Sequence, residues 1–447
     1  MRIVIVGAGK LGYSIAELLS KEEYDVIVVD KDEQRLEVIK DSLDVLTMAA
    51  NGSSPITLGD GDIRGAEVLI AVTNSDEVNM ISCILAKKNG IKHTIARIRD
   101  IQFISEAKEY LKENFDIDLM LNPEMITALE INRILMVPAA LNVEDFADGK
   151  VRLFEAKVRT DSKLANIPFR DLNMPREILA AMLFRAHEMI IPHGNDSLQP
   201  MDNAYFIGRT KDIENFSHNF VQQDSSKIER VMIIGAGRTG RFLATVLDRQ
   251  GVKVKIFDKD RNICREMAEK LKNGEAYEGD GTDIDLLLQE GIKEADAVAC
   301  LTKDDKLNLL VAMLCKHLGA KKTIVQVSRS EYIDIMEKVG IDIVLSSRML
   351  ASSEVLAYVR RGGIISVSLL EGAKVEAIEV IVQDNAQVAG KQLKQAGLPR
   401  ECLVCAYLRN DEANIANGST VLQAGDRVII IIKTSHSKRV LEYFKNN

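Results

Sequence analysis

The stretch Met1-Arg-Ile-Val-Ile-Val-Gly-Ala-Gly-Lys-Leu-Gly12 decides how the chain begins to fold. Its apolar run at 3–6 is short and β-branched, which predicts a buried parallel strand. The next residues form the pattern G-x-G-x-x-G, and apolar residues then follow at helical spacing. In this pattern Gly7 permits a tight turn, Gly9 lets the backbone approach a pyrophosphate, and Gly12 lets the helix pack on the strand. We expect the phosphates to bind the free N–H groups at the helix N-terminus.

An acidic residue follows where a ribose is expected. The second apolar run ends in Asp30, eighteen residues after Gly12. A carboxylate at this point can bind the two hydroxyls of an adenine-linked ribose. A lone G-x-G-x-x-G is weak evidence, because a glycine turn also occurs in α/β domains without a ligand. Here strand, glycines, helix, strand and acid come in the order of a nucleotide-binding unit, so the sequence predicts nucleotide binding.

Length, charge and hydropathy limit the class of protein. With 447 residues the chain is too long for one core, which predicts roughly two to four domains. The net charge of −8 disfavours nonspecific binding to nucleic acid or to an anionic bilayer, because both need excess Lys and Arg. No apolar run is long enough to span a membrane, and the first strand leaves no room for a signal peptide. Six scattered cysteines fit a reducing cytoplasm.

Two short motifs resemble metal or redox sites. Cys402-Leu-Val-Cys405 has neither a second C-x-x-C nor a histidine at ligand spacing. A strand is predicted at 401–408 and would point the two thiols to opposite faces, so we interpret them as core residues, with metal or redox chemistry as the alternative. His187-Glu-Met-Ile-Ile-Pro-His193 does not match H-E-x-x-H, so no zincin site is expected there.

The chain contains an internal duplication. Val231-Met-Ile-Ile-Gly-Ala-Gly-Arg-Thr-Gly240 repeats the opening stretch with an offset of 228, and Asp258 repeats Asp30. Asn51-Gly-Ser-Ser54 is matched to Gly279-Asp-Gly-Thr282, and later strands repeat as well. Each half therefore begins with alternating strands and helices. This predicts an α/β fold with two tandem Rossmann-like, doubly wound parallel-sheet domains.

An apolar crossover helix and a small β-rich α+β lobe are expected after each Rossmann block. The first helix has apolar residues on more than one face, namely Met125, Ile126, Ala128, Leu129, Ile131, Ile134 and Leu135. Docking to a partner and burial within its own domain both explain this pattern. The predicted parts are a first Rossmann block at 1–122, a crossover region at 123–150, a first lobe at 151–210, a linker at 211–228, a second Rossmann block at 229–346, a crossover region at 347–365 and a second lobe at 366–447.

This order of parts, present twice, resembles the RCK (KTN) regulators of potassium transport. The elements that carry the resemblance are Gly7-Ala-Gly-Lys-Leu-Gly12 with Asp30, Ile70-Ala-Val-Thr-Asn-Ser-Asp-Glu77, Thr94-Ile-Ala-Arg97 and the second G-A-G-R-T-G. The resemblance covers nearly the whole chain. It implies a nucleotide-controlled gating ring rather than an enzyme. The implied protein is a cytoplasmic homotetramer that binds NAD(H) or ATP/ADP and acts on a TrkH-type potassium-conducting subunit at the inner face of the membrane.

The resemblance also implies which residues bind the nucleotide. In the first half the phosphates would lie on the backbone of Gly7, Ala8, Gly9, Lys10, Leu11 and Gly12. Asp30 would hold the ribose, Thr73 and Asn74 would line the far side, and Arg97 would reach the phosphates as a charge-assisted donor. The counterparts in the second half are Gly235, Ala236, Gly237, Arg238, Thr239, Gly240, Asp258 and Thr302.

The two predicted sites differ in charge. Gln326 replaces Arg97 in the second half, although Arg238 and Arg261 could compensate. The two sites are therefore not expected to prefer the same nucleotide. Asp30 and Asp258 would repel a 2′-phosphate, so NADP is the less expected ligand. Neither acid discriminates between NAD and ATP, because both carry the same free ribose.

The alternative from another class is an NAD-dependent oxidoreductase. Such an enzyme needs a substrate domain with an acid or base near the nicotinamide. The duplication already accounts for nearly all of the chain, and His187 and His193 align with Asp411 and Asn417, which is typical of surface variation. We therefore expect no catalytic residues. A third hypothesis is a nucleotide sensor whose partner is not a channel. The sequence does not distinguish it from a regulator of potassium transport.

Overall fold

The computed structural model describes residues 1–100, 103, 114–136, 142–160, 162, 164–172, 174–185, 188–220, 228–359, 364–370 and 374–446. These residues form two compact units. One unit is Met1–Ile126 with Ser347–Val359, and the other is Thr127–Ser346 with the described residues after 363. Each unit therefore contains residues from both halves of the repeat. No described helix has both the length and the apolar character that a membrane span requires.

A parallel sheet of six strands forms the centre of the first unit. The strands are β1 Arg2–Val6, β2 Asp25–Asp30, β3 Leu46–Ala49, β4 Val68–Ala71, β5 His93–Arg97 and β6 Leu119–Leu121. The helices between them are α1 Lys10–Lys21, α2 Glu33–Ser42, α3 Pro55–Leu58 and α4 Asp76–Lys88. The order across the sheet is β3-β2-β1-β4-β5-β6. The sheet thus changes its direction of growth between β1 and β4, which is the point where doubly wound folds bind ligands.

The first β-rich lobe belongs to the second unit. It follows α5 Pro123–Met136 and contains β7 Asn142–Phe146, β8 Val151–Lys157, β9 Ile178–Arg185, β10 Glu188–Ile190 and β11 Asn203–Arg209, then α6 Thr210–Phe220. The sheet order is β10-β9-β11-β8-β7, and the paired strands are antiparallel. Helix α6 occupies the first part of the segment predicted as a linker. It buries Ile213 and Phe216 in the core of the lobe, and the rings of Phe216 and Phe206 lie 5.2 Å apart.

The second Rossmann block repeats the architecture of the first. Its strands are β12 Arg230–Ile234, β13 Lys253–Asp258, β14 Glu275–Glu278, β15 Ala297–Cys300, β16 Thr323–Val327 and β17 Ile343–Ser346. Its helices are α7 Arg238–Arg249, α8 Arg261–Lys270, α9 Ile284–Gln289, α10 Asp305–His317 and α11 Ile333–Lys338, with 3-10 turns at Ile292–Glu294 and Ser330–Tyr332. The order β14-β13-β12-β15-β16-β17 is that of the first sheet. The predicted fold of two doubly wound parallel sheets is confirmed.

The second lobe follows α12 Ser347–Val359. It contains β18 Ile364–Leu370, β19 Val375–Ile381, β20 Cys402–Arg409, β21 Glu412–Ile415, β22 Arg427–Lys433 and α13 Ser437–Leu441, with 3-10 turns at Leu393–Gln395, Thr434–His436 and Glu442–Phe444. The sheet order is β18-β19-β22-β20-β21. One apolar core joins the two lobes, because side chains such as Phe146 and Val151 of the first pack with Ala377 and Ile429 of the second.

The crossover helices are exchanged between the two halves of the chain. In α5, Ala128, Ile131, Ile134 and Leu135 are buried in the core of the second Rossmann block. Helix α12 follows the second block in sequence but packs on α1 of the first unit. Burial within its own domain was therefore wrong for these four residues, because they are buried in the block of the other half. Docking of α5 to a partner stays a prediction. Leu129 remains 47% exposed.

The offset between the two halves increases from 228 to 229 at an earlier point in the chain than the sequence match indicated. A Cβ on Gly52 would lie 2.1 Å from Val6 Cγ1, and a Cβ on Gly281 would lie 2.3 Å from Ile234 Cγ2. These two glycines are therefore equivalent, and Asn51 corresponds to Asp280. The match of residues 51–54 to 279–282 was wrong by one position. The additional residue lies in the loop between α8 and β14.

Candidate nucleotide sites

The first glycine turn joins β1 to α1. Gly7 has a φ of +114°, in the left-handed region that favours glycine. A Cβ on Gly12 would lie 1.8 Å from the carbonyl oxygen of Gly7, so the helix can pack on the turn only without a side chain here. Gly9 differs, because a Cβ added there would meet no atom of the described residues within 4 Å. The space beside Gly9 is open and suits the approach of a ligand.

The second glycine turn has the same geometry. Gly235 has a φ of +103°, and a Cβ on Gly240 would lie 2.0 Å from the Gly235 carbonyl oxygen. The nearest atom to a Cβ on Gly237 is 4.0 Å away. In both halves the outer two glycines are required by the protein's own packing. The middle glycine is the one whose missing side chain leaves space for a ligand to approach the backbone.

The helices that follow the glycine turns begin without a side-chain cap. Gly9 is the N-cap of α1 and Gly237 is the N-cap of α7, and neither helix has an acid in its first turn. By contrast, Asp32 caps α2 and Asp260 caps α8 with hydrogen bonds to backbone N–H groups. The positive ends of α1 and α7 are therefore not compensated by an acidic side chain of their own helix. Such a helix end binds anions.

The acid at the end of the second strand braces the glycine turn. Asp30 Oδ2 accepts a hydrogen bond from Ala8 N at 2.6 Å, and Oδ1 accepts one from Asp32 N at 3.0 Å. In the second block Asp258 Oδ2 accepts from Ala236 N at 2.7 Å. Each carboxylate oxygen retains acceptor capacity for a ribose hydroxyl. The structure thus places both predicted ribose ligands beside the turn and gives them a bracing role that the sequence did not indicate.

A buried asparagine connects the ends of β4 and β5. Asn79 Oδ1 accepts hydrogen bonds from Thr73 Oγ1 at 2.7 Å and from Thr73 N at 2.9 Å, while its Nδ2 donates to Arg97 O at 2.8 Å. Asn308 bonds in the same way to the backbone and hydroxyl of Thr302. The hydroxyls of both predicted site threonines are therefore already engaged. Neither asparagine is among the predicted site residues, although each lies six residues after its threonine in the repeat.

Asn74 lies at the exposed tip of the loop that follows β4. Its carbonyl oxygen accepts a hydrogen bond from the guanidinium of Arg99. The same guanidinium pairs with Asp76, whose Oδ2 also accepts from the backbone N–H of Arg99 at 2.8 Å. These contacts fix the loop backbone. They leave the Asn74 side chain at the surface beside the strand ends.

Arg97 lies at the C-terminal end of β5, the edge predicted for the ligand. It is largely buried, and its Nη2 atom lies 3.3 Å from Glu124 Oε1. Burial lowers the pKa of Arg97, and the adjacent Glu124 carboxylate opposes that shift. Within the part of the chain that the structure describes, the Nε atom of Arg97 has no hydrogen-bond partner. At the equivalent position of the second block, Gln326 Oε1 is likewise buried, and no described residue is its hydrogen-bond partner.

The charges around the second site do not reproduce Arg97. Arg238 is exposed within the glycine turn. Arg261 instead faces Glu278, with its Nε atom 3.6 Å from a carboxylate oxygen. Lys259 and Asp280 form an ion pair at 2.7 Å, and Lys259 lowers the pKa of Asp280. Of the two proposed compensating arginines, Arg238 is the one in the glycine turn.

The cysteine pair of the second lobe is buried. Burial raises the pKa of Cys402 to about 11 and the pKa of Cys405 to about 12, so both remain thiols at neutral pH. Neither forms a disulfide. A register shift between Val404 and Ala406 interrupts the alternation of faces that was predicted for this strand. The interpretation as core residues is confirmed.

The histidine motif offers no alternative site in the described residues. His193 is exposed, and its ring nitrogen contacts the Ile191 carbonyl oxygen at 2.9 Å. His187 lies outside the described residues. No group of metal-ligating side chains occurs in the part of the chain that the structure describes.

The fold and these sites define an α/β protein with two Rossmann blocks, each with an uncapped glycine turn and an acid at the neighbouring strand end. The TrkA-N domain family matches residues 3–123 and 231–347, and the TrkA-C domain family matches residues 377–445. The chain belongs to the TrkA family.

Curated relatives match over their full length. Trk system potassium uptake protein TrkA homolog 1 of Methanosarcina mazei is 36% identical over 453 residues, which cover 100% of both chains. Trk system potassium uptake protein TrkA of Halomonas elongata is 33% identical over 443 residues, covering 97% of this chain and 96% of that protein.

Solved structures share the fold at low sequence identity. The GsuK RCK domain has a TM-score of 0.62 at 17% identity and covers 99% of this chain and 94% of that one. The GsuK channel bound to NAD has a TM-score of 0.63 at 18% identity, covering 99% and 78%. GsuK bound to ADP has a TM-score of 0.51 at 16% identity, covering 80% and 69%. These similarities show the arrangement of strands and helices.

Proposed function

We propose that this protein is a nucleotide-binding regulatory subunit that gates a TrkH-type potassium channel or transporter from the cytoplasmic face of the membrane. The observation that carries the proposal is the duplicated site beside an uncapped helix N-terminus. At the first site the middle glycine, Gly9, adjoins open space, and at the second a Cβ on Gly237 would meet its nearest atom only at 4.0 Å. The names of the TrkA relatives, which refer to potassium uptake, support the biological setting.

The expected ligands are NAD(H) and ATP or ADP. Backbone N–H groups of Gly9, Lys10 and Leu11 would bind phosphates, while Asp30 would bind the adenosine ribose. A 2′-phosphate would meet the Asp30 carboxylate, so NADP is disfavoured. GsuK, which shares the fold, has been solved with NAD and with ADP, in agreement with a site that accepts either adenine nucleotide.

Regulation requires the nucleotide to bind two conformations with different affinity. The crossover helix α5 begins in the first Rossmann unit, and its later residues are buried in the second block. A change at the start of α5 therefore acts on an element that belongs to both blocks. We propose that a homotetramer, peripheral on the inner face of the membrane, passes this change to the TrkH-type subunit.

Calorimetric titration with ATP, ADP, NAD and NADH tests the binding function. The variants are Asp30→Ala and Asp258→Ala, each of which removes one proposed ribose ligand. We expect binding of more than one adenine nucleotide, with one site lost in each variant. Unchanged affinity in both variants would contradict the site assignment. Turnover of added substrates with NAD(H) would instead identify an oxidoreductase.

The partner is tested separately by isolating the tagged protein from membranes that contain a TrkH-type subunit. Co-purification that depends on nucleotide supports the gating role. Nucleotide binding without any association would favour a sensor with a partner other than a channel. Sedimentation of the purified protein, with one species at four times the chain mass, would support the tetramer.

A further inference from the structure

Arg97 is held by an acid of the crossover helix through one contact. The separation of 3.3 Å between Arg97 Nη2 and Glu124 Oε1 is long for a charge-assisted hydrogen bond. The Nε atom of Arg97 and the Oε2 atom of Glu124 are both buried and have no hydrogen-bond partner among the described residues. Buried polar atoms without partners cost free energy. The pair is therefore incomplete, and a ligand that satisfies more of the guanidinium can replace the carboxylate.

The backbone around this pair is fixed. Asn122, which is buried, accepts a hydrogen bond from Met125 N at 2.8 Å and donates one to Ile98 O at 3.0 Å. These bonds tie the start of α5 to the end of β5, where Arg97 is located. When Arg97 changes its partner, the side chain of Glu124 therefore moves before the backbone does.

We infer that Glu124 is an internal anion that occupies Arg97 until the phosphates of a bound nucleotide take its place. This inference rests on the proposed nucleotide function of the first site. A terminal phosphate offers three acceptor oxygens and more negative charge than one carboxylate, so it can satisfy the guanidinium more fully. Competition with Glu124 makes the affinity of the first site depend on phosphate charge. Adenosine, which has no phosphate, does not enter this competition.

The second half of the chain lacks this pair. Gln326 stands where the first half has Arg97, and Arg348 stands where it has Glu124, as the alignment of residues 121–124 with 345–348 shows. A neutral amide at position 326 needs no internal counter-ion. The proposed competition is therefore specific to the first site and distinguishes its nucleotide preference from that of the second.

Titration calorimetry on the full chain, with adenosine, ADP and ATP, tests the inference. All proteins carry Asp258→Ala so that the heat reports the first site. We expect Glu124→Gln to raise the affinity for ADP and ATP by about tenfold, because Arg97 loses its competitor. The affinity for adenosine should stay within about twofold. In an Arg97→Gln background, Glu124→Gln should have no further effect, because the competed group is absent.

The outcomes separate this inference from the proposed function. If ADP binds and Asp30→Ala abolishes binding, but Glu124→Gln leaves the ADP affinity unchanged, the inference is overturned and the binding function stands. An equal rise for adenosine and ADP would also overturn it, since the effect would not depend on phosphate. If none of the three ligands binds the parent protein, which carries only Asp258→Ala, the proposed nucleotide function of the first site is contradicted. The inference that rests on it is then overturned as well. Glu124→Ala is a second variant, and circular dichroism checks that each variant is folded.

Discussion

Replacing Gly12 by alanine separates the packing role of the glycine turn from its proposed ligand role. A Cβ at this position would lie 1.8 Å from the Gly7 carbonyl oxygen, whereas protein Cβ atoms essentially never approach another atom closer than 3.0 Å. The turn and α1 must therefore separate by at least 1.2 Å, the difference between 3.0 and 1.8 Å. The obstacle is backbone, so no side-chain rotation relieves it.

The cost of this separation follows from what α1 buries. Leu11, Ile15 and Leu19 are fully or almost fully buried, and moving them opens gaps in a close-packed core. Overpacking of this kind costs about 3 kcal/mol at the upper end of its usual range. Alanine in place of glycine within a helix returns about 1 kcal/mol. We expect Gly12→Ala to lower the free energy of unfolding of the first unit by about 2 kcal/mol.

Hydrogen exchange measured by mass spectrometry provides the assay, because the chain has two compact units and one global transition would mix them. Peptides from β1 and β2 should exchange faster in Gly12→Ala, while peptides from β12 serve as an internal reference. Gly9→Ala is the matched control, since its Cβ would lie more than 4 Å from every atom of the described residues. We expect it to leave exchange in β1 unchanged.

Two results would refute the packing argument. One is wild-type protection of β1 in Gly12→Ala. The other is an equal loss of protection in Gly9→Ala. Nucleotide titration of Gly9→Ala and Gly9→Val tests the proposed ligand role of the turn. The bulkier Gly9→Val should weaken nucleotide binding while the fold persists.

Three further predictions concern buried polar groups. Asn79→Ala should lower the free energy of unfolding of the first unit by about 3 kcal/mol, measured by the same exchange assay, because several hydrogen bonds at the strand ends lose their partner. A thiol reagent at pH 8 should leave Cys402 and Cys405 unmodified until the protein unfolds, since burial raises their pKa values; rapid labelling of the native protein would contradict their burial. Burial also raises the pKa of Glu130 from 4.5 to about 8, so its contribution to stability is complete below pH 4.5 and is lost as the pH rises through 8. Glu130→Gln should therefore unfold at higher denaturant concentration than the wild type at pH 9 but not at pH 4; the same difference at both values would exclude titration of this carboxyl.

The sequence predicted those elements whose signals lie within a few residues of one another. β1, the glycine turn and α1 follow from one short stretch, and Asp30 follows from the end of the next apolar run. The repeat then predicted the second block. Contacts from more distant parts of the chain were missed. Asn79, which joins Thr73 to Arg97, has no signal in a hydrophobic pattern, because a single buried amide does not alter the periodicity of its helix.

Composition obscured some local structure. Helix α6 lies in a polar stretch, yet Ile213 and Phe216 are three residues apart and share one buried face. The equivalence of Gly52 and Gly281 was also not predicted. Small and polar residues adjoin both glycines, so two alignments that differ by one residue match about equally well. The close approach of each glycine to the last residue of its first strand selects between them, and so does the strand register, which pairs Asp30 with Ala49 and Asp258 with Glu278.

By itself, the sequence determined the two Rossmann blocks, since buried parallel strands and glycine turns are encoded by neighbouring residues. It also determined that α5 is apolar on more than one face. Only the tertiary structure decided that residues of α5 are buried in the second block, that α12 packs on α1, and that Glu124 pairs with Arg97. The physical reason is that burial of apolar surface is nondirectional: a periodic pattern shows that a face will be covered, while shape and connectivity select which surface covers it.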